Sequence, residues 1–166
     1  MRTRSRILGI DPGSRTTGYG IIDKQGSSLG FVACGTIRTG GSANIPERLL
    51  AIYEGLEKII TLHGPDVAAV EEVFMARNPR SALTLGHAHG AAVLAVMRSG
   101  LRVHDYSPRL VKQAVAGYGR ADKAQVQHMV TALLDLSAAP SSDAADALAV
   151  AICHANRMIV PEDASS

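Results

Sequence analysis

Four acidic residues stand where their neighbours are apolar: Asp11, Glu71, Asp143 and Asp146. Asp11 closes the run Ile7-Leu8-Gly9-Ile10, and Glu71 closes Val67-Ala68-Ala69-Val70. Asp143 and Asp146 are three apart in an alanine-rich stretch, a spacing that places both on one helix face. Carboxylates set among apolar elements are costly unless they are paired, protonated or neutralised by a cation. A divalent metal does the last of these, and carboxylate-held metals serve phosphoryl transfer. An oxygen-only donor set suits Mg²⁺, with Mn²⁺ as a substitute, far better than Zn²⁺. Two ions per site, roughly 3.5–4 Å apart, would activate a water and stabilise the leaving oxygen of a phosphodiester.

These acids need elements to carry them. Ile7–Ile10 reads as a strand stopped by Asp-Pro-Gly, with Tyr19–Asp23 a second strand and Leu29–Ile37 a third. In the third, Leu29, Phe31, Ala33, Gly35 and Ile37 share one face. Short turns between them predict an antiparallel meander. Leu49, Ile52, Tyr53, Leu56, Ile59 and Ile60 then mark a helix that starts after Asn44 and ends at Gly64-Pro65.

Val67–Phe74 reads as a buried central strand. Alternation puts Glu71 and Glu72 on opposite faces, and periodicity leaves open which one reaches the site. A long helix runs from Asn78-Pro79 to about Arg98, its Gly86, Ala88, Gly90, Ala91, Ala92 and Ala95 suited either to core packing or to a dimer contact. Arg102–Tyr106 is a last strand, and helices follow near Pro108–Ala116, Lys123–Leu134 and Ser142–His154. This order predicts an α/β domain with a mixed five-stranded sheet flanked by helices on both faces. With the first and fourth strands adjacent, Asp11 and Glu71 meet. A last helix N-capped by Ser141 or Ser142 brings Asp143 and Asp146 alongside, in turns where the helix dipole favours negative charge.

With 166 residues, 46% hydrophobic and 19% charged, the chain reads as one ordinary globular domain over 1–158 with a short polar tail over 159–166. A net charge of +2 argues neither for nor against nucleic acid; only the local clustering of arginines and lysines points that way. Cys34 and Cys153 lack metal-ligand spacing and read as reduced thiols. No signal-peptide pattern precedes the first strand, and the most apolar long window, 81–97, is interrupted by His87 and His89. The expectation is a cytoplasmic protein.

The segments LGIDPGSRTTGYG, VEEVFMARNPRSALTLGHAHG, VKQAVAGYGRADKAQVQHMV and DAADALAVAICH, in this order from about Arg6 to His154, resemble the bacterial RuvC family of Holliday-junction resolvases. The resemblance implies an RNase H-like fold, a homodimer, and Mg²⁺-dependent nicking of four-way DNA junctions on two symmetry-related strands. It implies 5′-phosphate and 3′-hydroxyl products and cooperation with the RuvA–RuvB branch-migration complex. It assigns catalysis to Asp11, Glu71, Asp143 and Asp146, and so selects Glu71 over Glu72. It gives Phe74 a base-stacking role, against the plain alternative of a cap on the core, and makes Arg77 its companion at the unpaired strand. Lys112 and Lys123 match basic positions near the family's site, for phosphate contact or charge neutralisation. Arg15 and Arg80 are either backbone contacts or solvated side chains. His128 reads as a core or surface histidine rather than a ligand.

Three other readings compete. An actin-like ATPase uses a similar Asp-x-Gly loop but needs two such domains, and the chain has one such loop. A different RNase H-like nuclease would keep the acids and change the substrate. A non-catalytic junction-binding module would be expected to lack acids that are all present here.

Overall fold

The computed structural model describes residues 3–41, 44–73 and 78–158. Five strands and five helices alternate as β1 (Arg4–Asp11), β2 (Thr16–Gln25), β3 (Ser28–Arg38), α1 (Ile45–His63), β4 (Val67–Glu71), α2 (Pro79–Arg98), β5 (Arg102–Tyr106), α3 (Pro108–Ala116), α4 (Lys123–Leu133) and α5 (Ser142–Arg157). The sheet order is β3-β2-β1-β4-β5. β1, β2 and β3 form the expected antiparallel meander, while β4 runs parallel to both β1 and β5. The first and fourth strands therefore lie side by side at the centre.

Alternation along the central strands sorts the core into two layers. Leu8, Ile10, Ala68 and Val70 face α1 and α2, packing on Ile52, Leu56, Ala88, Ala92 and Val96. Ile7, Val67 and Ala69 face the other way, toward α3, α4 and α5. Both helices of the first layer start on asparagine caps. Asn44 and Glu47 form a reciprocal capping box on α1, and Asn78 accepts from Ser81 N–H on α2. Gly64 ends α1 in the left-handed region at φ 58, a conformation that costs glycine nothing.

Two expectations need correction. The third strand does not keep one alternating face, because the register shifts between Ile21 and Ile22, which pair with Ala33 and Phe31. The extra residue, Val32, is a β-bulge, so Leu29 and Cys34 reach one layer while Val32 and Ile37 reach the other. Phe31 is left 42% exposed. The fourth strand ends at Glu71 rather than at Phe74. Its last ladder bond runs from Glu72 N–H to the Tyr106 carbonyl, and there β5 stops, because Ser107-Pro108 caps and starts α3. Phe74 and Arg77 lie outside the described residues, as does the segment 159–166.

The helix that matters most for the site is α5. Every residue from Ala144 to Ala155 except Asp146 is buried, so the helix is covered on all sides by the sheet, α3 and α4. It lies unusually close to the sheet because glycines line the bed. A Cβ on Gly9 would stand 2.1 Å from the Ala147 carbonyl oxygen, and one on Gly20 would stand 2.6 Å from Leu148 Cγ. Glycine beneath and alanine above bring two backbones together where larger side chains would hold them apart.

Candidate active site

Strand register decides which acids meet. Gly9 faces α5, so Asp11, two residues on, faces α5 as well. On β4, Val67 and Ala69 belong to the α5 layer, and Glu71 continues that row. Because Ile10 pairs with Val70, Asp11 and Glu71 are neighbours at the ends of parallel strands, and their carboxyl groups share a hydrogen bond. Glu72 points to the other side and is exposed. The choice that periodicity left open is made by the register.

Asp143 and Asp146 arrive from above. The Ser141 hydroxyl accepts from Ala144 N–H and caps α5, which sets Asp143 in the first turn. One carboxylate oxygen each from Asp11, Asp143 and Asp146 can lie within 4.8 Å of the others. Glu71 joins this group through its bond to Asp11 rather than as a member of the tight cluster.

The electrostatics follow from that crowding. Burial, with Glu71 and Asp143 adding to it, pushes Asp11 up to about 9, so it holds a proton at neutral pH. Glu71 is also raised, mainly by burial, and its hydrogen bond with Asp11 opposes the shift. Burial and the nearby Asp11 raise Asp146 to about 6. Lys123 pulls all three down, and Lys112 pulls on Glu71 and Asp146. Lys123 Nζ stands 3.9 Å from Asp146 Oδ2, but its side chain is 76% exposed, so solvent screens most of that attraction. The cluster retains more negative potential than two lysines cancel. Oxygen-only donors bearing excess negative charge fit a hard divalent cation, and Asp11, Asp143 and Asp146 can hold one.

Arg15 is exposed in the turn after β1, and its carbonyl accepts from Thr39 N–H at 3.1 Å. Arg80 is exposed in the first turn of α2, and His128 is exposed on α4, outside the acidic cluster. A second polar group escaped the sequence reading. The buried His154 meets the Tyr106 hydroxyl through Nδ1 at 2.6 Å and stacks on His104 with centroids 4.5 Å apart. Burial, reinforced by His104, lowers His154 to about 4, so its imidazole is neutral. These rings line a cavity of about 710 Å³ with Arg102, Arg157 and Asp66, and none of the four carboxylates belongs to it. The signal was one histidine interrupting the apolar run of α5. The glycines under α5 were missed as well, though Gly18 and Gly20 carry the two-residue period of a strand face.

An α/β sheet of this order, with acids converging from its two central strand ends and a closely packed last helix, defines an RNase H-like protein. The family model for crossover junction endodeoxyribonuclease RuvC matches residues 7–154, and the chain belongs to that family. It is 57% identical over 151 residues to the crossover junction endodeoxyribonuclease RuvC of Cupriavidus taiwanensis, covering 91% of this chain and 83% of the relative. The Acinetobacter baumannii protein of the same name is 60% identical over 150 residues, covering 90% and 82%. Among solved structures, T. thermophilus RuvC in complex with a Holliday junction substrate superposes with a TM-score of 0.84 at 35% identity, covering 91% of this chain and 93% of that one. Among the described residues, no helix is long and apolar enough to cross a membrane.

Proposed function

We propose that this chain is a structure-selective DNA endonuclease that resolves Holliday junctions in recombination and repair by nicking two strands symmetrically. The observation that carries the reading is the convergence of Asp11, Asp143 and Asp146 to within 4.8 Å, with Glu71 bonded to Asp11, in a chain of the RuvC family. The junction in the T. thermophilus complex supplies the substrate class.

Asp11, Glu71, Asp143 and Asp146 would hold Mg²⁺, two ions per site, or Mn²⁺ in its place. When bound, these ions supply Lewis-acid polarisation of the phosphodiester and a more acidic water. The chain's part is to place and charge the acids. The sheet fixes Asp11 and Glu71 from below, while α5 fixes Asp143 and Asp146 from above. A cation held there would favour the ionised form of Asp11, whose carboxyl burial, with Glu71 and Asp143 adding to it, otherwise keeps protonated. Lys112 and Lys123, whose charges reach the acids, contact the phosphate and offset charge developing there. In-line attack leaves a 5′-phosphate and a 3′-hydroxyl that a ligase can seal. Phe74 stacks on a base at the junction with Arg77 beside it, and Arg15 and Arg80 contact the backbone.

Two nicks require two sites, and a homodimer supplies them with the twofold symmetry of the junction. α2 supports this. Leu83, Leu94 and Met97 are 66, 64 and 55% exposed, on a face shared by Gly86 and Gly90, whose missing side chains would meet nothing within 4 Å among the described residues. Ala88, Ala91, Ala92 and Ala95, by contrast, are core. The single nuclease domain spans 1–158, with 159–166 a tail, and acts in the cytoplasm with a RuvA–RuvB complex.

The test is a strand-labelled synthetic four-way junction incubated with Mg²⁺ beside linear duplex and RNA–DNA hybrid. Paired, symmetric nicks confined to the junction are expected. Cleavage of the hybrid instead would leave the metal site standing and remove the substrate.

A further inference from the structure

Between α3 and α4 the chain passes through Gly117-Tyr118-Gly119-Arg120. Gly117 ends α3 in the left-handed region at φ 84, with its N–H donated to the Gln113 carbonyl. The side chain of Arg109 crosses over Gly119, where a Cβ would stand 2.5 Å from Arg109 Cγ. Tyr118 is thus bracketed by two glycines, one needed for its φ and one for a close approach. Its side chain is 48% exposed, and among the described residues it makes no hydrogen bond or ring contact.

A lone exposed apolar side chain is ordinary and by itself signifies nothing. The position of this one is not ordinary. α3 carries Lys112, whose charge acts on Glu71 and Asp146. α4 begins with Lys123, 3.9 Å from Asp146. The loop therefore joins the two helices whose lysines border the acidic cluster. Only four residues lie between Tyr118 and Lys123, so their Cα atoms stand no more than about 18 Å apart. At about 3.4 Å per nucleotide, that is within roughly five nucleotides of a strand crossing Asp146. Arg109 and Arg120 add positive charge on either side of the ring in sequence, and both are exposed. An exposed aromatic set among cations beside a phosphodiester site has the composition of a surface for single-stranded nucleic acid.

We propose that Tyr118 is a base-stacking residue of the nuclease site, its ring packing on an unpaired nucleobase of the cleaved strand beside the branch while Arg109 and Arg120 hold the flanking phosphates. This rests on the resolvase reading and adds to it a specificity contact distinct from Phe74. A ring that stacks discriminates among substrates by whether an unstacked base is available, which a branched junction offers and a linear duplex does not.

The test compares the full chain with Tyr118→Phe, Tyr118→Leu and Tyr118→Ala. Junction affinity is read in Ca²⁺ and nicking rate in Mg²⁺, with 2-aminopurine walked through the five positions either side of the cut. Alanine and leucine should weaken junction binding about tenfold, while phenylalanine stays within about twofold of the parent. Fluorescence at one position should be quenched by the parent and the phenylalanine variant only. Leucine matching tyrosine overturns the proposal, as does alanine matching it, since neither keeps a π-face. A parent protein that binds linear duplex as tightly as the junction removes the resolvase reading and this proposal with it. Equal melting temperatures, expected for so exposed a side chain, confine the effect to DNA.

Discussion

Gly18 of β2 lies directly against the backbone of Asp143: a Cβ on Gly18 would stand 2.1 Å from the Asp143 carbonyl oxygen and 2.7 Å from its carbonyl carbon. The nearest atoms are backbone, so nothing flexible can swing aside. The gap between Asp143 and the sheet, and hence between Asp143 and Asp11, is set by a side chain that is absent. Gly18→Ala should lift the start of α5, destabilising the fold by about 1–3 kcal/mol. It should cost on the order of a hundredfold in nicking, because misplacement by about an ångström has that effect. Urea denaturation and single-turnover nicking measure the two losses. Gly41→Ala, at a site where nothing among the described residues stands within 4 Å, should change neither. Wild-type activity in Gly18→Ala would show that the close approach of α5 is not what places the acids.

The acidic cluster also predicts how stability depends on pH without metal. Asp11 is raised from 3.8 to about 9, so the folded protein keeps a proton that the unfolded chain releases. The stability this confers is complete below about pH 4 and is lost as pH rises through about 9. Asp146 acts with the same sign between 3.8 and about 6. His154, lowered from 6.5 to about 4, acts with the opposite sign, its contribution being lost as pH falls through that range. Above pH 6.5 the Asp11–Glu71 pair dominates. The melting temperature of EDTA-treated protein should therefore fall from pH 6.5 to pH 9, with a slope of up to about 1.4 kcal/mol per pH unit for one proton. Asp11→Asn should flatten the fall, and Mg²⁺ should raise the melting temperature more at pH 9 than at pH 6.5. A parent profile that is flat or rising over this window without metal would contradict the shared-proton geometry.

The fold was legible where periodicity and punctuation agree: apolar runs ended by Asp-Pro-Gly or Gly-Pro, and helices opened by Asn44, Asn78 and Ser141. The four acids were legible because each interrupts apolar sequence. Other features were not. The bulge at Val32 leaves the hydrophobic pattern of β3 unchanged and alters only which face it serves. The end of β4 depends on where β5 runs out, which is a property of another segment. The glycine bed under α5 and the Tyr106–His154 bond join residues far apart in sequence, so no local pattern announces them. Pairing of Glu71 rather than Glu72 with Asp11 is of the same kind: alternation separates the two, and only the register with β1 chooses.

Lys123 is where a charge that serves the proposed chemistry can be told apart from one that stabilises the fold. The lysine end of its 3.9 Å approach to Asp146 is 76% exposed and screened by solvent, so Lys123→Met should change stability by no more than about 0.5 kcal/mol. It should nonetheless slow nicking by about a hundredfold or more, as the loss of a charge facing a developing anion does elsewhere. With Lys123 gone, one of the influences holding Asp146 down is removed, so the Mg²⁺ concentration for half-maximal rate should rise at pH 6 more than at pH 8. Lys123→Arg should recover part of the rate. Rates measured against Mg²⁺ at the two pH values check this, and an unchanged saturated rate in Lys123→Met would remove the lysine from the chemistry.

Asp146→Asn tests the acids most directly. The substitution keeps the shape of the side chain in α5 and removes one negative charge from a site whose members repel one another; burial and Asp11 are what raise Asp146. Relieving that repulsion should leave the metal-free protein as stable as the parent or more so. Cleavage should be abolished in both Mg²⁺ and Mn²⁺, because the cluster formed with Asp11 and Asp143 is incomplete. DNA is a polyanion, so a site with one fewer carboxylate should bind the junction at least as tightly in EDTA. Gel shifts in EDTA beside nicking in each metal decide it. Binding that falls together with cleavage would mean that Asp146 holds the fold rather than the ion.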